Sequence, residues 1–481
     1  MKRLIAAWLA AAIAFSLFGC SKPTVSEEGG EKTTSLKIYQ LGNKPDDWEQ
    51  VAAAFNEKAE ADIGVTTEWE FISSGAYTEK LNVIMAAGQE FDVCFTGFVN
   101  PIASAVNNGA FLALDDLMEE YAPGLKETMP DYWWQAATFD GEIYAVPNQQ
   151  VAAMPSGIWL YKSYADKYSF DLESIKCLKD IEPMLETIKQ NEPDKWAFRA
   201  VPNEGVTFVD GTADDYIMVT TGLYIKKDDE KAQLINYYEM PQYYEALKTY
   251  NDWWQKGYIR KDIVSVMDDS SDFNAGKYIF NTGNWKPGVE AEMLAKYGQD
   301  CSYAIYNEGC VSTSSCDSSM FAISRTSKHP AKAMEFINYI NTNKEAYNIL
   351  ASGLAGMHYD VLEDTRIHIK EDCTYPTGSG WKWGNQFNAY VTDVQELGVW
   401  EETKKLNEEA DVSPLMGFRA NTDFILTEIA QVESVISEFS SLQFSDYQKL
   451  YPEFISRLEG AGLSKIKDEY QKQIDEFLKN K

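Results

Sequence analysis

Strand-like and helix-like hydrophobic patterns alternate along the start of this chain. Residues 36–41, 65–72 and 91–95 are short, largely apolar runs that predict strands. Between them, the apolar residues of 48–55 fall on one helical face, and residues 77–87 predict a second helix. Because strands that alternate with helices form parallel sheets covered on both faces, this opening predicts an α/β fold.

Loops rich in small or hydrogen-bonding residues follow the carboxyl ends of these predicted strands. Asn43 follows the first strand, residues 73–75 follow the second, and Phe98 follows the third. In open parallel sheets, ligands bind beyond the carboxyl ends of the strands. We therefore expect Asn43 and Phe98 to border a cleft.

The rest of the chain predicts a second lobe and a helical end. Residues 35–150 are predicted to form lobe 1, with a return segment near 280–325, and residues 151–279 to form lobe 2. The helical patterns of 326–481 are interpreted as the remainder of lobe 2 and a C-terminal extension. Asn148 and Gln149 follow a predicted strand that leaves lobe 1, so we place a hinge near them.

The N-terminus has the layout of an export signal. Lys2 and Arg3 precede an uncharged apolar run over residues 4–18, and this run is shorter than the roughly 20 residues of a membrane-spanning helix. We interpret residues 1–19 as a cleaved signal peptide. The body of the protein is therefore expected outside the cell.

Cys20 closes this apolar run. Residues 17–20, LFGC, resemble the lipobox of bacterial lipoproteins, although Phe18 is bulkier than usual. An ordinary signal peptide with a chance cysteine is the alternative. We predict a lipid anchor at Cys20, because residues 20–34 are polar and glycine-containing, as in a flexible tether. The predicted location is the outer face of the cell membrane.

Charge and composition bear on nucleic-acid binding, disulfides and cofactors. The formal net charge of −31 disfavours nucleic acid, whose phosphates require basic surfaces. The six cysteines beyond Cys20 allow disulfides but do not require any, because a body of this size can build its own core. With no CxxC and only three histidines, neither a metal site nor another cofactor is expected.

Several motifs resemble one family. They are FDVCFTGFVNPIASAVNNGAFLALDDLM at 91–118, GEIYAVPNQQ at 141–150, HPAKAMEFINYI at 329–340, GWKWGNQF at 380–387 and SPLMGF at 413–418. Together with the lipobox, they resemble the extracellular solute-binding proteins of family 1, the lipoprotein subunits of sugar-importing ABC transporters. The resemblance implies a two-lobed periplasmic-binding-protein-like α/β fold with a hinge between the lobes. It also implies capture of a carbohydrate, and of an oligosaccharide in particular, for the permease subunits of an importer.

A sugar site needs flat aromatic faces and hydrogen-bonding side chains, and the 13 tryptophans and 28 tyrosines make such a site possible. Trp381, Trp383, Asn385 and Gln386 form the best local cluster, because they combine stacking faces and amides within a glycine-rich segment. Trp285 lies in a predicted loop, where function is more frequent than in helices. The full set of predicted ligand contacts is Trp381, Trp383, Asn385, Gln386, Trp285, Asn148, Gln149, Trp159, Phe98 and Asn43. For each of them, a place in the core or a plain structural role is the alternative.

Three other functions remain open from the sequence. The protein could bind a peptide or another small solute, or it could present its ligand to a sensor instead of an importer. A secreted glycoside hydrolase would share the export signal and the aromatic content, and it would use two carboxylates. No enzymatic activity is expected, because the motifs resemble binding subunits and no G-x-S-x-G nucleophile motif occurs.

Overall fold

The computed structural model describes residues 33–363 and 366–481. The predicted signal peptide and Cys20 lie outside these residues, as does most of the predicted tether. Over the described residues the chain forms two α/β lobes, a small sheet beside lobe 1, and a C-terminal group of helices.

Lobe 1 is built on a five-stranded sheet, to which a later part of the chain contributes β14 (Ser319–Ile323). The strand order is β2-β1-β3-β14-β6. Strand β1 is parallel to β2 and β3, whereas β14 is antiparallel to its neighbours. The predicted alternation of strands and helices at the start of the chain is confirmed. The elements are β1 (Thr34–Leu41), α1 (Trp48–Ile63), β2 (Val65–Ile72), α2 (Ser74–Ala86), β3 (Val93–Gly97), α3 (Ile102–Asn107), α4 (Asp115–Tyr121), α5 (Asp131–Gln135), β4 (Thr138–Phe139), β5 (Glu142–Ile143) and β6 (Val146–Pro147).

Lobe 2 is built on a four-stranded sheet with the order β13-β7-β12-β8 and a three-stranded sheet with the order β11-β10-β9. Its elements are β7 (Ser156–Tyr161), α6 (Lys162–Tyr168), α7 (Glu182–Asn191), β8 (Trp196–Phe198), β9 (Tyr216–Thr220), β10 (Leu223–Lys226), β11 (Ile235–Asn236), α8 (Pro241–Lys256), α9 (Ser270–Asn274), β12 (Tyr278–Asn284), α10 (Val289–Tyr297) and β13 (Cys301–Asn307). The predicted return segment near 280–325 begins too early, because β12 and β13 still belong to lobe 2. Both β12 and β13 pair with β7 of lobe 2.

The chain re-enters lobe 1 through α11 (Thr313–Cys316) and β14 (Ser319–Ile323), which are followed by α12 (Pro330–Thr342) and α13 (Lys344–Ser352). Buried residues of α12 and α13, among them Phe336 and Tyr347, belong to the lobe 1 core. The prediction that 326–481 completes lobe 2 is wrong for these helices, because their apolar faces cover the lobe 1 sheet.

A small sheet, β15-β16-β17, follows α13. Three helices at the C-terminus then pack against lobe 2, where Phe454 meets Tyr238 edge to face at a ring distance of 5.1 Å. These remaining elements are β15 (Tyr359–Val361), β16 (Arg366–Ile369), β17 (Val391–Thr392), α14 (Val399–Glu409), α15 (Leu426–Glu438), α16 (Tyr447–Ala461) and α17 (Leu463–Asn480).

The lobes are joined where β6 leads to β7 and where β13 leads to α11 and β14. Asn407 of α14 ties the first of these crossings together, because its side-chain oxygen accepts from the backbone N–H of Ala152 at 2.8 Å and of Ala153 at 3.1 Å. Its amide nitrogen donates to the Gln150 carbonyl at 2.7 Å. A third strand segment crosses beside the second, since Val311 pairs with Val412. This set of crossings fixes where the lobes face each other.

Candidate ligand-binding cleft

An aromatic pair, formed by the exposed Phe98 and the half-buried Trp381, lies beyond the carboxyl end of β3. Phe98 follows that strand and is 59% exposed, and its ring centre lies 5.9 Å from that of Trp381. Gly97 makes this position possible, because its φ is +147° and an added Cβ would lie 2.2 Å from the Ser318 carbonyl oxygen. The backbone of Phe98 donates to that same carbonyl at 3.1 Å. An exposed aromatic surface is thus held in place by the sheet.

Buried polar side chains hold the backbone of Trp381. The side-chain amide of Asn148 donates to the Trp381 carbonyl at 3.2 Å and to the Ser319 hydroxyl at 2.7 Å. The Ser319 hydroxyl donates to the same Trp381 carbonyl at 3.0 Å. Because Asn148 is fully buried, these bonds link the crossing segment, β14 and the Trp381 loop.

A cavity of about 620 Å³ borders Trp381. The 377–400 region contributes aromatic and amide side chains, and α10 of lobe 2 contributes charged ones, so both lobes form its walls. The polar and aromatic lining residues include Gln150, Lys286, Glu292, Lys296, Tyr347, Trp381, Gln386, Tyr390, Asp393, Gln395 and Trp400. Aromatic faces beside amides and charged groups suit a ligand with apolar faces and many hydroxyls.

One buried polar atom among these lining residues lacks a hydrogen-bond partner. The indole nitrogen of Trp400 is buried and has no hydrogen-bond acceptor among the described residues. Buried donors are nearly always satisfied in native proteins, by protein, water or ligand. An acceptor in or near the cavity would satisfy this one.

A smaller cavity of about 310 Å³ borders Phe98, and a further one of about 190 Å³ shares part of its lining. Both are lined by Val219, Asp317, Phe418 and Arg419, and the larger of the two is lined by Phe98 as well. We call these two cavities the distal compartment. Phe98 lines the distal compartment and Trp381 lines the 620 Å³ cavity, so the contact between their rings lies between the two.

Two predicted contacts are core residues instead. Trp383 is 2% exposed and stacks on Trp48, with ring centres 5.9 Å apart and planes 8° apart. Trp159 is 4% exposed and packs against Tyr297 and Tyr303 within lobe 2. The prediction that these tryptophans contact ligand is contradicted, because their faces are covered by other rings.

Three predicted contacts support the cleft from behind. Asn148 holds Trp381, as described above. Gln149 is 2% exposed, donates through its side chain to the Thr128 hydroxyl at 3.2 Å, and accepts at its carbonyl from the backbone of Gln386 at 2.8 Å. The Asn385 side chain accepts from the backbone N–H of Phe387 at 3.0 Å, which closes a turn.

Of the remaining predicted contacts, three border the cavities and two do not. Phe98, Trp381 and Gln386 border the cavities. Trp285 is half-buried and donates to Glu290 at 3.0 Å, and it borders none of the cavities described above. Asn43 is exposed in the turn after β1 and likewise lies outside them.

Sequence reasoning missed several residues that border the cavities. Gln150 directly follows the predicted Asn148 and Gln149, and it lies at the cavity while they are buried. Arg419 directly follows the SPLMGF motif. Those neighbouring motifs were the available signal, but neither indicates which side chain faces the cleft.

Three charged side chains near the aromatic pair are largely buried. Burial lowers the pKa of Lys382 to about 8, and its ammonium donates to the Leu41 carbonyl at 3.4 Å, at the carboxyl end of β1. Burial raises the pKa of Asp317, and the nearby Arg419 guanidinium offsets part of that rise. The Asp317 and Arg419 side chains form an ion pair at 2.6 Å.

The described residues show no metal site, disulfide or membrane-spanning helix. They contain no group of three or more His, Cys, Asp or Glu side chains placed to hold a metal ion. Cys94, Cys177, Cys301, Cys310, Cys316 and Cys373 are all free thiols. Within the ranges 33–363 and 366–481, no helix has the length and apolar character needed to cross a bilayer.

The chain is similar to bacterial proteins over nearly its whole length. A carbohydrate ABC transporter substrate-binding protein of Streptococcus pneumoniae is 29% identical, over 98% of this chain and 97% of the relative. The crystal structure of the N-glycan transport solute binding protein NgtS from S. pneumoniae matches 93% of this chain and 99% of that one, with 26% identity and a TM-score of 0.84. For NgtS in complex with Man1GlcNAc and with Man5GlcNAc, the TM-scores are 0.73 and 0.69.

Two family models match the sequence. Residues 414–479 match a domain of unknown function, DUF3502. Residues 42–347, well over half of the chain, match the bacterial extracellular solute-binding protein model. With the two lobes and the cleft between them, this match shows that the chain belongs to the family of bacterial extracellular solute-binding proteins.

Proposed function

We propose that this protein captures an oligosaccharide in the cleft between its lobes and delivers it to an ABC importer. The observation that carries the proposal is the pair of Phe98 and Trp381, in which Trp381 borders the 620 Å³ cavity and Phe98 borders a cavity of about 310 Å³. Aromatic faces bind the apolar C–H faces of sugar rings, and the surrounding amides and carboxylates can bind the hydroxyls. The related substrate-binding protein and the sugar complexes of NgtS support a carbohydrate ligand.

The proposed mechanism is closure of the lobes around the ligand. The TM-score is higher for the NgtS structure described without a sugar than for either of its sugar complexes, although the sequence identity hardly changes. We therefore take the arrangement of this chain as the open form. A ligand that contacts both lobes stabilises the closed form by its difference in affinity for the two.

Small-angle X-ray scattering tests this mechanism. We expect the radius of gyration to fall when saturating ligand is added. An unchanged radius at saturation would contradict closure.

We also propose that Cys20 carries a lipid anchor and that the ligand is released unchanged. Two acyl chains would hold the folded body at the outer surface of the membrane, next to the permease subunits. In the native host, Cys20→Ala should abolish labelling with radioactive palmitate and release the protein into the medium. Incubation of the purified protein with its sugar should yield the intact sugar, whereas shortened products would favour a glycoside hydrolase.

The ligand class is tested by a thermal-shift screen of the protein lacking residues 1–20. Because a ligand that binds only the folded state raises the melting temperature, one sugar class should produce a clear shift. Amino acids and peptides serve as competing classes. A shift with one of these and with no sugar would overturn the carbohydrate proposal.

Matched phenylalanine variants test where the ligand binds. Phe98→Ala should weaken sugar binding, whereas Phe424→Ala should not, because Phe424 is 76% exposed and borders none of the cavities described above. Isothermal titration calorimetry measures both affinities. Equal affinities of Phe98→Ala and the wild type would place the ligand elsewhere.

A further inference from the structure

The segment that matches a domain of unknown function borders the cleft. Phe418, Arg419 and Ala420 line the distal compartment, as does Tyr470 of α17. The rest of this segment packs on lobe 2, where Val432, Leu458 and Ile474 join the buried core. Residues 414–479 thus present a short polar and aromatic edge to a cavity whose other wall is lobe 1.

Arg419 is the charged group at this edge, and lobe 1 residues hold it. It donates to Asp317 at 2.6 Å and also to the Ala136 carbonyl, and its guanidinium lies over the Phe139 ring at 4.6 Å. Its other terminal nitrogen, Nη1, is buried without a partner among the described residues. Because buried donors are normally satisfied, this guanidinium has hydrogen-bonding capacity that the protein leaves unused.

The chemistry of the ion pair limits what the distal compartment can bind. Asp317 offers carboxylate oxygens as acceptors, and Arg419 offers N–H donors beside them. Two adjacent hydroxyls of a sugar ring can donate to the first and accept from the second. The carboxylate cancels the charge of the guanidinium, so an acidic sugar gains little and an uncharged sugar is favoured.

The position of the ion pair adds a length requirement. Phe98 lines the same cavity as Arg419, and its other neighbour, Trp381, lines the 620 Å³ cavity. A single sugar ring that stacks on Trp381 has no reason to reach Arg419. A chain of rings can continue past Phe98 into the distal compartment.

We propose that Asp317 and Arg419 form a second sugar subsite, supplied in part by residues 414–479, that binds adjacent hydroxyls of an uncharged ring. The subsite rests on the proposed carbohydrate function and makes the protein select longer oligosaccharides over short ones. Residues 414–479 would thus take part in ligand selection.

The test measures two sugars of different length by isothermal titration calorimetry, Man1GlcNAc and Man5GlcNAc. Arg419→Gln and Asp317→Asn should each lower the affinity for Man5GlcNAc by about ten-fold or more, as expected when a hydrogen bond to a charged group is lost. The affinity for Man1GlcNAc should change by less than about two-fold. Arg457→Gln is the matched control, because Arg457 forms an exposed ion pair with Glu438 elsewhere in residues 414–479.

A second variant separates the subsite from the folding role of the ion pair. Ala420→Trp fills the distal compartment and leaves Asp317 and Arg419 in place, so it should also weaken only the longer sugar. Equal losses for both sugars, or no loss for the longer one, would overturn the subsite.

If the wild-type protein binds neither Man1GlcNAc nor Man5GlcNAc, the proposed subsite is also wrong as stated. The broader carbohydrate proposal would still be decided by the sugar screen. The two failures are therefore distinguishable.

Discussion

Trp381 and Trp383 are two residues apart, and we predict opposite effects for their replacement by alanine. Trp383→Ala should destabilise lobe 1 and leave the ligand contacts intact. Trp381→Ala should weaken ligand binding and leave stability nearly intact. The contrast follows from their surroundings, because one indole is enclosed by rings and the other faces a cavity.

The cost of Trp383→Ala can be estimated from its burial. The indole is 2% exposed, stacks on Trp48 and meets Trp69 edge to face at 5.5 Å. Removing a buried tryptophan costs about 3–5 kcal/mol, from lost apolar burial and from the cavity left behind. If lobe 1 unfolds as one unit, the melting temperature should fall by about 10 °C.

The cost of Trp381→Ala is expected mainly in affinity. The bonds from Asn148 and Ser319 go to its backbone carbonyl, so alanine retains them. Loss of a tryptophan anchor in a binding site costs about 2 kcal/mol or more, which corresponds to about 30-fold in affinity. The melting temperature without ligand should fall by a few degrees at most.

Differential scanning calorimetry of the two variants, with titration of the same sugar into each, measures both effects. Trp159→Ala is a further control, since this buried indole lies in lobe 2 and should also lower stability without altering ligand contacts. The reasoning is refuted if Trp383→Ala retains wild-type stability, or if Trp381→Ala binds as tightly as the wild type.

Three more predictions follow from buried polar groups. Because burial lowers the Lys382 pKa from 10.5 to about 8, the unfolded chain binds more protons than the folded chain between these pH values. This group should therefore raise the free energy of unfolding by about 3 kcal/mol as pH rises from 8 to 10.5. Chemical denaturation at the two pH values measures this increase, which should be absent from Lys382→Met. Asn407→Ala should lower the free energy of unfolding by about 3 kcal/mol in urea titrations, because it strands buried backbone groups at a lobe crossing. Cys94 and Cys316 should resist a thiol reagent until the protein is unfolded, since burial raises the pKa of each; rapid labelling of the folded protein would contradict this.

The start of the fold was predictable because its signals are local. The period of the apolar residues in α1 and the short runs of β1 and β3 depend on neighbours a few positions away. The same local logic placed Phe98 beyond a strand end, where the structure has it exposed beside the cavities. Here pattern and tertiary structure agree.

The division into lobes was less predictable because it depends on distant contacts. Helices α12 and α13 follow β14, and their apolar faces would suit either lobe. Only the pairing of β14 with β3, more than 200 positions earlier in the chain, assigns them to lobe 1. No local periodicity encodes that pairing.

The sequence could not distinguish the aromatic residues of the cleft from those of the core, for a related reason. Trp381 and Trp383 lie in an irregular segment, where no period distinguishes the inner face from the outer one. Trp159 lies in β7, which is buried along nearly its whole length and so lacks the alternation that would mark an exposed face. Composition could indicate an aromatic site, but only the packing decides which aromatic residues remain available to a ligand.

The geometry of the cleft also limits which ligands can drive closure. To convert a population that is 99% open into one that is 99% closed, a ligand must favour the closed form by about 5.5 kcal/mol. A hydrogen bond to a charged group supplies about 1.5–3 kcal/mol, so several new contacts with the opposing lobe are needed. Trp381 and Phe98 belong to lobe 1, whereas Glu292 and Lys296 reach the large cavity from lobe 2. A ring that only stacks on Trp381 would therefore bind without closing the lobes. Calorimetry should detect binding of a monosaccharide that leaves the radius of gyration unchanged, whereas an oligosaccharide that reaches both lobes should reduce it.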